Sequence, residues 1–338
     1  MQATTDHLDG LVGLAADLSG ADPHRVRSLA ARILARQPDA AGRRGRSGLN
    51  NDASPLELCL SSFADACRFR LVADPASTEL NPRLRRDAAF SALADTLELM
   101  QCSALEPLCR ATLDAIIPSD DSIDRYVEGV LWLGAGVGMP GVALYADLTR
   151  GDGDERWQRT ESWIDSTVAN PAPARAILTA MRGHAELMAA GVEGTEPANA
   201  RAKLFFRITR PMALAELGNP AFTDPSISAF LAMLLGEREL PLQGLVFSTS
   251  FLVANGAPFD AKVDVCAHCL SFSNEDWISF LGAATSAFQL APMDARRALD
   301  GDAEAAFVGL NRNALGQLRL DFFLKPKQWY AAEDAGHG

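Results

Sequence analysis

Six basic side chains occupy alternating positions in otherwise apolar runs. Arg68 and Arg70 lie in CRFRLVA, Arg201 and Lys203 in RAKLFFRIT, Lys262 in FDAKVDVC and Arg319 in GQLRLDFFL. A guanidinium offers a planar fork of donors that matches phosphate or carboxylate oxygens, and an ammonium adds a compact charge. The whole chain carries a formal net charge of -12, so these cations do not reflect a generally basic surface. Brought together, they would form a site for a multiply charged anion.

Their spacing says which elements must carry them. In FDAKVDVC, Phe259, Ala261, Val263 and Val265 alternate with Asp260, Lys262 and Asp264. Successive side chains of a strand point to opposite faces, so this pattern predicts a β-strand with one apolar and one charged face. The other basic runs behave alike. Tyr145 and Asp147 share a face in GVALYADL, and Arg201, Lys203, Phe205 and Arg207 share one in RAKLFFRIT.

Each such strand follows another across a short Gly, Asp, Asn or Pro-containing link, the mark of a hairpin. The pairs are 56–62 with 67–73, 130–137 with 141–148, 184–194 with 201–209, 244–253 with 259–266, and 305–312 with 316–324. Helix-like stretches at 86–116, 154–182, 225–237 and 275–300 separate them, and two more, 6–18 and 22–36, precede them. From Tyr145 to Lys203, Lys262 and Arg319 the steps are 58, 59 and 57 residues. Such an even step predicts one supersecondary unit used repeatedly. Ten consecutively paired antiparallel strands can close into a barrel, which removes the exposed edges. About ten strands enclose more room than the eight whose side chains nearly fill the interior. If helices cover the outer face, Phe259, Ala261, Val263 and Val265 face them, and Lys262 and Asp264 point into the lumen. The competing arrangement is an open sheet whose charged face meets water.

Composition narrows the function. A chain of 338 residues that is 48% hydrophobic and 22% charged can bury a sizeable core. The acidic balance argues against nucleic acid and anionic membranes as partners. No apolar run is long enough for a transmembrane helix, and MQATTDHLDG lacks the form of a signal peptide. The six scattered cysteines read as reduced thiols of a cytoplasmic protein. The expected organisation is a helical preface with its loop over 1–50, a barrel domain over 51–328 and a tail over 329–338.

The order of five αββα units, with PGVALY, GVEGT followed by RAKLFF, AKVDV and LRLDFFLKP, resembles the aromatic prenyltransferases of the ABBA type, in their indole (dimethylallyltryptophan synthase-like) branch. The likeness covers about residues 50–326. Its strongest element is Arg201-x-Lys203-x-Phe205 preceded by GVEG. The resemblance implies an α+β fold: a ten-stranded antiparallel β-barrel with helices outside. It also implies transfer of a dimethylallyl or longer group from its diphosphate to an indole or similar aromatic. No metal or other cofactor is required, and Mg²⁺ is compatible with the reaction without being essential. Glu57 falls where the family keeps a carboxylate that accepts the indole N–H. Arg70, Arg201, Lys203 and Lys262 fall on diphosphate-binding positions, with Arg68 a neighbouring candidate and Arg319 a further cation of the same row. Tyr145 falls on a tyrosine that screens the allyl cation.

Three positions depart from the family pattern. Ala143 stands where relatives usually carry lysine, and Phe205 and Asp264 stand where tyrosine is usual. VLWLGAGV also lacks the lysine of fungal members. With only three tyrosines in the chain, other aromatic faces must shield the cation, an attraction rings supply through their π-electrons. Phe205, Phe247 and Trp132 are the candidates beside Tyr145, with core packing as their alternative role. The expected partners are a prenyl diphosphate, such as dimethylallyl diphosphate, and an aromatic small molecule. A peptide side chain as acceptor, or an anion-binding barrel without catalysis, are the rival readings.

Other motifs carry less. DDSID, Asp120 to Asp124, matches the magnesium-diphosphate signature DDxxD, but it follows Pro118-Ser119 as a helix cap would and has no acidic counterpart. Cys266, His268 and Cys269 offer three soft ligands where a structural zinc site takes four. GAGVGMPG reads as a hairpin turn.

Overall fold

The computed structural model describes residues 3–35, 46–138, 140–217 and 220–327. Ten strands form the frame: β1 Leu56–Ser62, β2 Cys67–Ala73, β3 Leu131–Val137, β4 Val142–Asp147, β5 Ala185–Gly194, β6 Arg201–Ile208, β7 Leu245–Leu252, β8 Pro258–Cys266, β9 Ala303–Asn313 and β10 Leu318–Pro326. Each pairs antiparallel with its neighbour in sequence. The ring closes where Leu58 meets Leu324 and Ser62 meets Leu320 across β1 and β10. The result is a closed barrel with no free edge. An open sheet with a water-washed face is therefore ruled out.

Helices α1 Ala3–Ser19, α2 Pro23–Leu34, α3 Pro82–Leu99, α4 Glu106–Ile116, α5 Gly153–Thr167, α6 Ala172–Met181, α7 Pro225–Leu235, α8 Asn274–Ala287 and α9 Ala295–Leu299 surround it. Three of the helical stretches expected from sequence are each a pair of helices, the 275–300 stretch dividing into α8 and α9. The 86–116 stretch breaks at Gln101, whose φ of 59° ends α3. The 154–182 stretch breaks before Pro171, which lacks the N–H to continue a helix. Helix starts follow capping chemistry: Asn81 accepts from the backbone of Arg83 and Leu84 ahead of Pro82, and Ser273 and Asp276 cap each other's backbone at α8.

One apolar layer lies between the barrel and the helices. Leu58, Leu144, Leu204, Val263 and Phe322 from the strands are fully buried there, with Trp163 of α5 and Phe230 of α7. Leu11 of α1 and Ile33 of α2 join the same core. Burying each such side chain contributes roughly 1.5–3 kcal/mol, so this layer fixes which face of every strand looks inward. Among the described residues no helix is long and apolar enough to cross a membrane.

Ala261, Val263 and Val265 pack outward as the alternation requires, and Lys262 and Asp264 turn into the barrel. Phe259 departs from the expectation. Ser250 pairs with Asp260 but Phe251 with Pro258, so Phe259 is the extra residue of a bulge. Its ring lies 4.5 Å from the Arg201 guanidinium and joins the polar side. DDSID forms a short 3-10 turn on the exterior. Asp120 caps it by accepting from Ser122, and Arg83 pairs with Asp121 and Asp124.

Candidate active site inside the barrel

Residues from all ten strands converge on one cavity of about 160 Å³, well above the roughly 10–15 Å³ that a single water needs. Of the residues singled out in the sequence, Glu57, Arg68, Arg70, Trp132, Tyr145, Lys203, Phe205, Lys262 and Arg319 line it. Arg201 sits beside it, held by carboxylates. Phe247 does not reach it. Phe247 pairs in register with Val263 and shares its outward face, where its ring meets Phe222 edge-on at 5.4 Å. Val246 is the residue of that strand that lines the cavity.

The basic side chains are embedded in acids. Arg201 reaches Glu193 at 2.6 Å and Asp260 at 3.5 Å. Arg70 reaches Glu193 at 3.5 Å. Lys262 stands between Asp264 at 2.7 Å and Asp321 at 2.9 Å, and Arg319 also pairs with Asp321 at 2.9 Å. Ser61 donates to Asp321 and Ser250 to Asp260. Arg68 is the outermost, with its side chain 42% exposed, paired with Asp65 and stacked on Phe63 at 4.3 Å. Lys203 differs from all of these. It is 3% exposed, faces the cavity, and has no carboxylate within 4 Å among the described residues. Burial lowers its pKa from the ordinary lysine value, against the pull of Glu193 and Asp260. Its ammonium lies 5.1 Å from the Phe205 ring centroid; a buried ammonium with no carboxylate beside it is costly, and an anion in the cavity would supply the counter-charge.

The acids titrate in different directions. Burial raises Asp264, and Lys262 beside it opposes the rise. Asp321 is pushed the other way: burial would raise it, but the charges of Arg319 and Lys262 outweigh burial and hold it well below the usual carboxylate range. Glu57 is 3% exposed and is raised to about 8, first by burial and then by the charge of Asp264. Its Oε1 has no hydrogen-bond partner. An unsatisfied buried carboxyl oxygen at a cavity wall is a ready acceptor for a ligand N–H.

Aromatic and apolar groups fill the rest of the lining. Tyr145 meets Phe205 edge-on at 4.9 Å, and Trp132 is its cross-strand neighbour. With Leu49, Val72, Ala143 and Ala189 they form a small apolar cluster inside the barrel, separate from the outer core. Trp132 Nε1 has no partner. Phe307 and Phe323 also line the cavity, and Lys262 lies 4.4 Å from the Phe323 ring centroid. The sequence reading missed both rings, as well as Glu193, Asp260 and Met188. Alternation could have found Phe323, which shares a face with Arg319 and Asp321. It could also have found Glu193, which stands opposite Arg201 in the β5–β6 register. Met188 was hidden because a register shift between Leu187 and Ala189 interrupts the period of two.

No protein-family model matches this sequence, and no curated protein matches it. Solved structures do match, over nearly the whole chain. The 5-dimethylallyltryptophan synthase from Streptomyces coelicolor superposes with a TM-score of 0.81 at 14% identity, covering 97% of this chain and 99% of that one. The chain has the prenyltransferase-barrel fold. A second prenyltransferase barrel, PriB in a binary complex with product diphosphate, matches with a TM-score of 0.78 at 17% identity over 97% of both chains. The 6-dimethylallyltryptophan synthase from Micromonospora olivasterospora, in complex with DMASPP and Trp, matches with a TM-score of 0.76 at 16% identity, covering 97% of this chain and 98% of that one. In this barrel Phe205 and Asp264 line the cavity and Ala143 lies in the inner apolar cluster, so two of the three departures noted in the sequence alter the cavity wall itself.

Proposed function

We propose that this protein transfers a dimethylallyl group from its diphosphate to an indole-containing acceptor. The observation that carries the reading is Lys203, a buried ammonium with no carboxylate within 4 Å among the described residues, which shares the wall of one cavity with Arg70, Lys262 and Arg319. Structures sharing this fold hold product diphosphate in one case and DMASPP with tryptophan in another, which supports the same pair of ligands here.

The chemistry follows from the residues. As the allylic C–O bond breaks, negative charge accumulates on the leaving pyrophosphate, and fixed cations lower the barrier if they meet that charge as it develops. Each charge-assisted hydrogen bond contributes roughly 1.5–3 kcal/mol, or about ten- to a hundredfold in rate. Tyr145, Phe205 and Trp132 present ring faces that exclude water and attract the allyl cation. Glu57, ionised, accepts the indole N–H, orienting the ring and making it more nucleophilic. The reading includes turnover without a divalent cation, because guanidinium and ammonium groups supply the charge neutralisation. It includes a cytoplasmic location, supported by six free cysteines.

The test is incubation with labelled dimethylallyl diphosphate and tryptophan or simpler indoles, with and without chelator. Acceptor-dependent pyrophosphate release with a prenylated product supports the reading. Tight pyrophosphate binding with no turnover on any indole refutes it in favour of a binding protein.

A further inference from the structure

Glu193 is the carboxylate on which three lumen groups from three other strands meet. Its Oε1 lies 2.6 Å from Arg201 NH2, its Oε2 3.5 Å from Arg70 NH1, and Tyr145 donates its hydroxyl to Oε2 at 2.7 Å. It is 3% exposed. Arg201 continues the chain to Asp260, which Ser250 holds in turn.

Arg70 reaches this carboxylate by an unusual route. It springs from β2, while Glu193 is on β5, so its side chain must cross β3 and β4. The strand register places Gly134 beside Ala143 and Ala143 beside Glu193. A Cβ added at Gly134 would stand 3.1 Å from Arg70 Cδ and 3.2 Å from Ala143 Cβ. Gly134 and Ala143 thus form a shallow trough in which the Arg70 side chain lies flat along the barrel wall. A Cβ at Gly134 would press on the Arg70 side chain and push it a few tenths of an ångström from this path.

We infer that Glu193 is a positioning residue for the reaction. It fixes Arg70 and Arg201 towards the leaving diphosphate and Tyr145 towards the allyl cation, and the Gly134–Ala143 trough exists to let Arg70 reach it. This rests on the prenyl-transfer reading above. Both guanidiniums keep N–H groups that Glu193 does not use, because arginine has five donors. The carboxylate therefore orders them without occupying the face a phosphate needs. Preordering of this kind serves the transition state, since the cations need not reorganise as charge develops. It also explains why a buried acid stands directly behind the cations of an anion-binding cavity, where simple charge complementarity would exclude one. The lowered pKa of Glu193, driven below the ordinary carboxyl value by Arg201, Lys203 and Arg70 against its burial, agrees with a permanently ionised partner.

Two variants test this. Glu193→Gln keeps the shape and removes the charge. Gly134→Ala changes no charge and adds one methyl group under Arg70. Turnover with dimethylallyl diphosphate and an indole is measured beside calorimetric binding of inorganic pyrophosphate and the acceptor KM. For Glu193→Gln, kcat is expected to fall about tenfold while pyrophosphate binds no more weakly than in the parent, because a neighbouring negative charge is gone. Gly134→Ala is expected to lower kcat by a few-fold, with the acceptor KM unchanged and the melting temperature slightly lowered by the tight packing against Ala143; it decides the matter if Glu193→Gln fails to fold. If either folded variant keeps the parent kcat, or if Glu193→Gln binds pyrophosphate more tightly and turns over faster, Glu193 is a mere competitor for the cations and the inference is wrong. A parent protein that turns over no indole overturns the prenyl-transfer reading, and this inference with it. A parent that turns over together with unimpaired variants overturns the inference alone.

Discussion

Glu57 sets a pH dependence that can be worked out from its surroundings. Its carboxyl is buried, Oε1 has no partner, and its pKa stands at about 8 instead of an ordinary 4.5. With each pKa unit worth about 1.4 kcal/mol, ionising it in the empty barrel costs at most ~5 kcal/mol. A carboxyl whose folded pKa lies above its unfolded value weakens the fold as pH rises between the two, so the empty protein should lose stability from about pH 4.5 towards 8. Accepting an indole N–H requires the ionised form. With a pKa of about 8, about a tenth of the free enzyme has that form at pH 7 and about nine-tenths at pH 9. The acceptor kcat/KM, which reports groups of the free enzyme, should then rise nearly tenfold between these values. The assay uses indole itself, which has no group titrating in this range, under saturating dimethylallyl diphosphate. Glu57→Gln should remove the rise and lower kcat/KM at pH 9 by about ten- to a hundredfold. It should also make the empty protein melt higher than the parent at pH 9. A parent profile flat from pH 6 to 9, or a Glu57→Gln profile that rises in parallel, would refute the reasoning.

Two contrasts extend the test. Lys203→Ala removes a cation that holds no carboxylate, so turnover should fall about ten- to a hundredfold with the melting temperature nearly unchanged. Arg201→Ala strands Glu193 and Asp260 without their shared partner, so it should cost about 3–5 kcal/mol of stability by denaturant titration as well as activity. Phe247→Ala should destabilise by about 3–5 kcal/mol yet leave the acceptor KM of the folded protein alone. Phe323→Ala, on the cavity wall, should raise that KM several-fold; equal effects of the two would contradict their placement on opposite faces of the barrel.

The alternation in FDAKVDVC and the even steps between basic markers were enough to anticipate ten strands, and closure of the ring agrees with them. Alternation assigns lumen faces correctly wherever the period of two is unbroken, as at Lys262, Lys203, Arg70 and Arg319. It fails at bulges. Phe259 was expected to face the helices and instead lies against Arg201, and Met188 reaches the cavity only through a register shift. Phe247 was misplaced for another reason: it was chosen as an aromatic suited to the chemistry, whereas its register partner Val263 places it outside. The acids were largely overlooked. A search for an anion site favours cations, while the packing of cations in a low-dielectric barrel requires counter-charges to hold them.

The sequence by itself determined the strands and their apolar and charged faces, because those properties follow from a local period of two; closure of the ring decided that the charged faces share an interior. Only the tertiary structure decided which charges are paired and which is not. Glu193 meets Arg70 across two intervening strands, and Lys203 has no carboxylate within 4 Å among the described residues, through the closure and register of the whole barrel. The Arg70–Glu193 contact joins residues more than a hundred positions apart, and no local pattern encodes it.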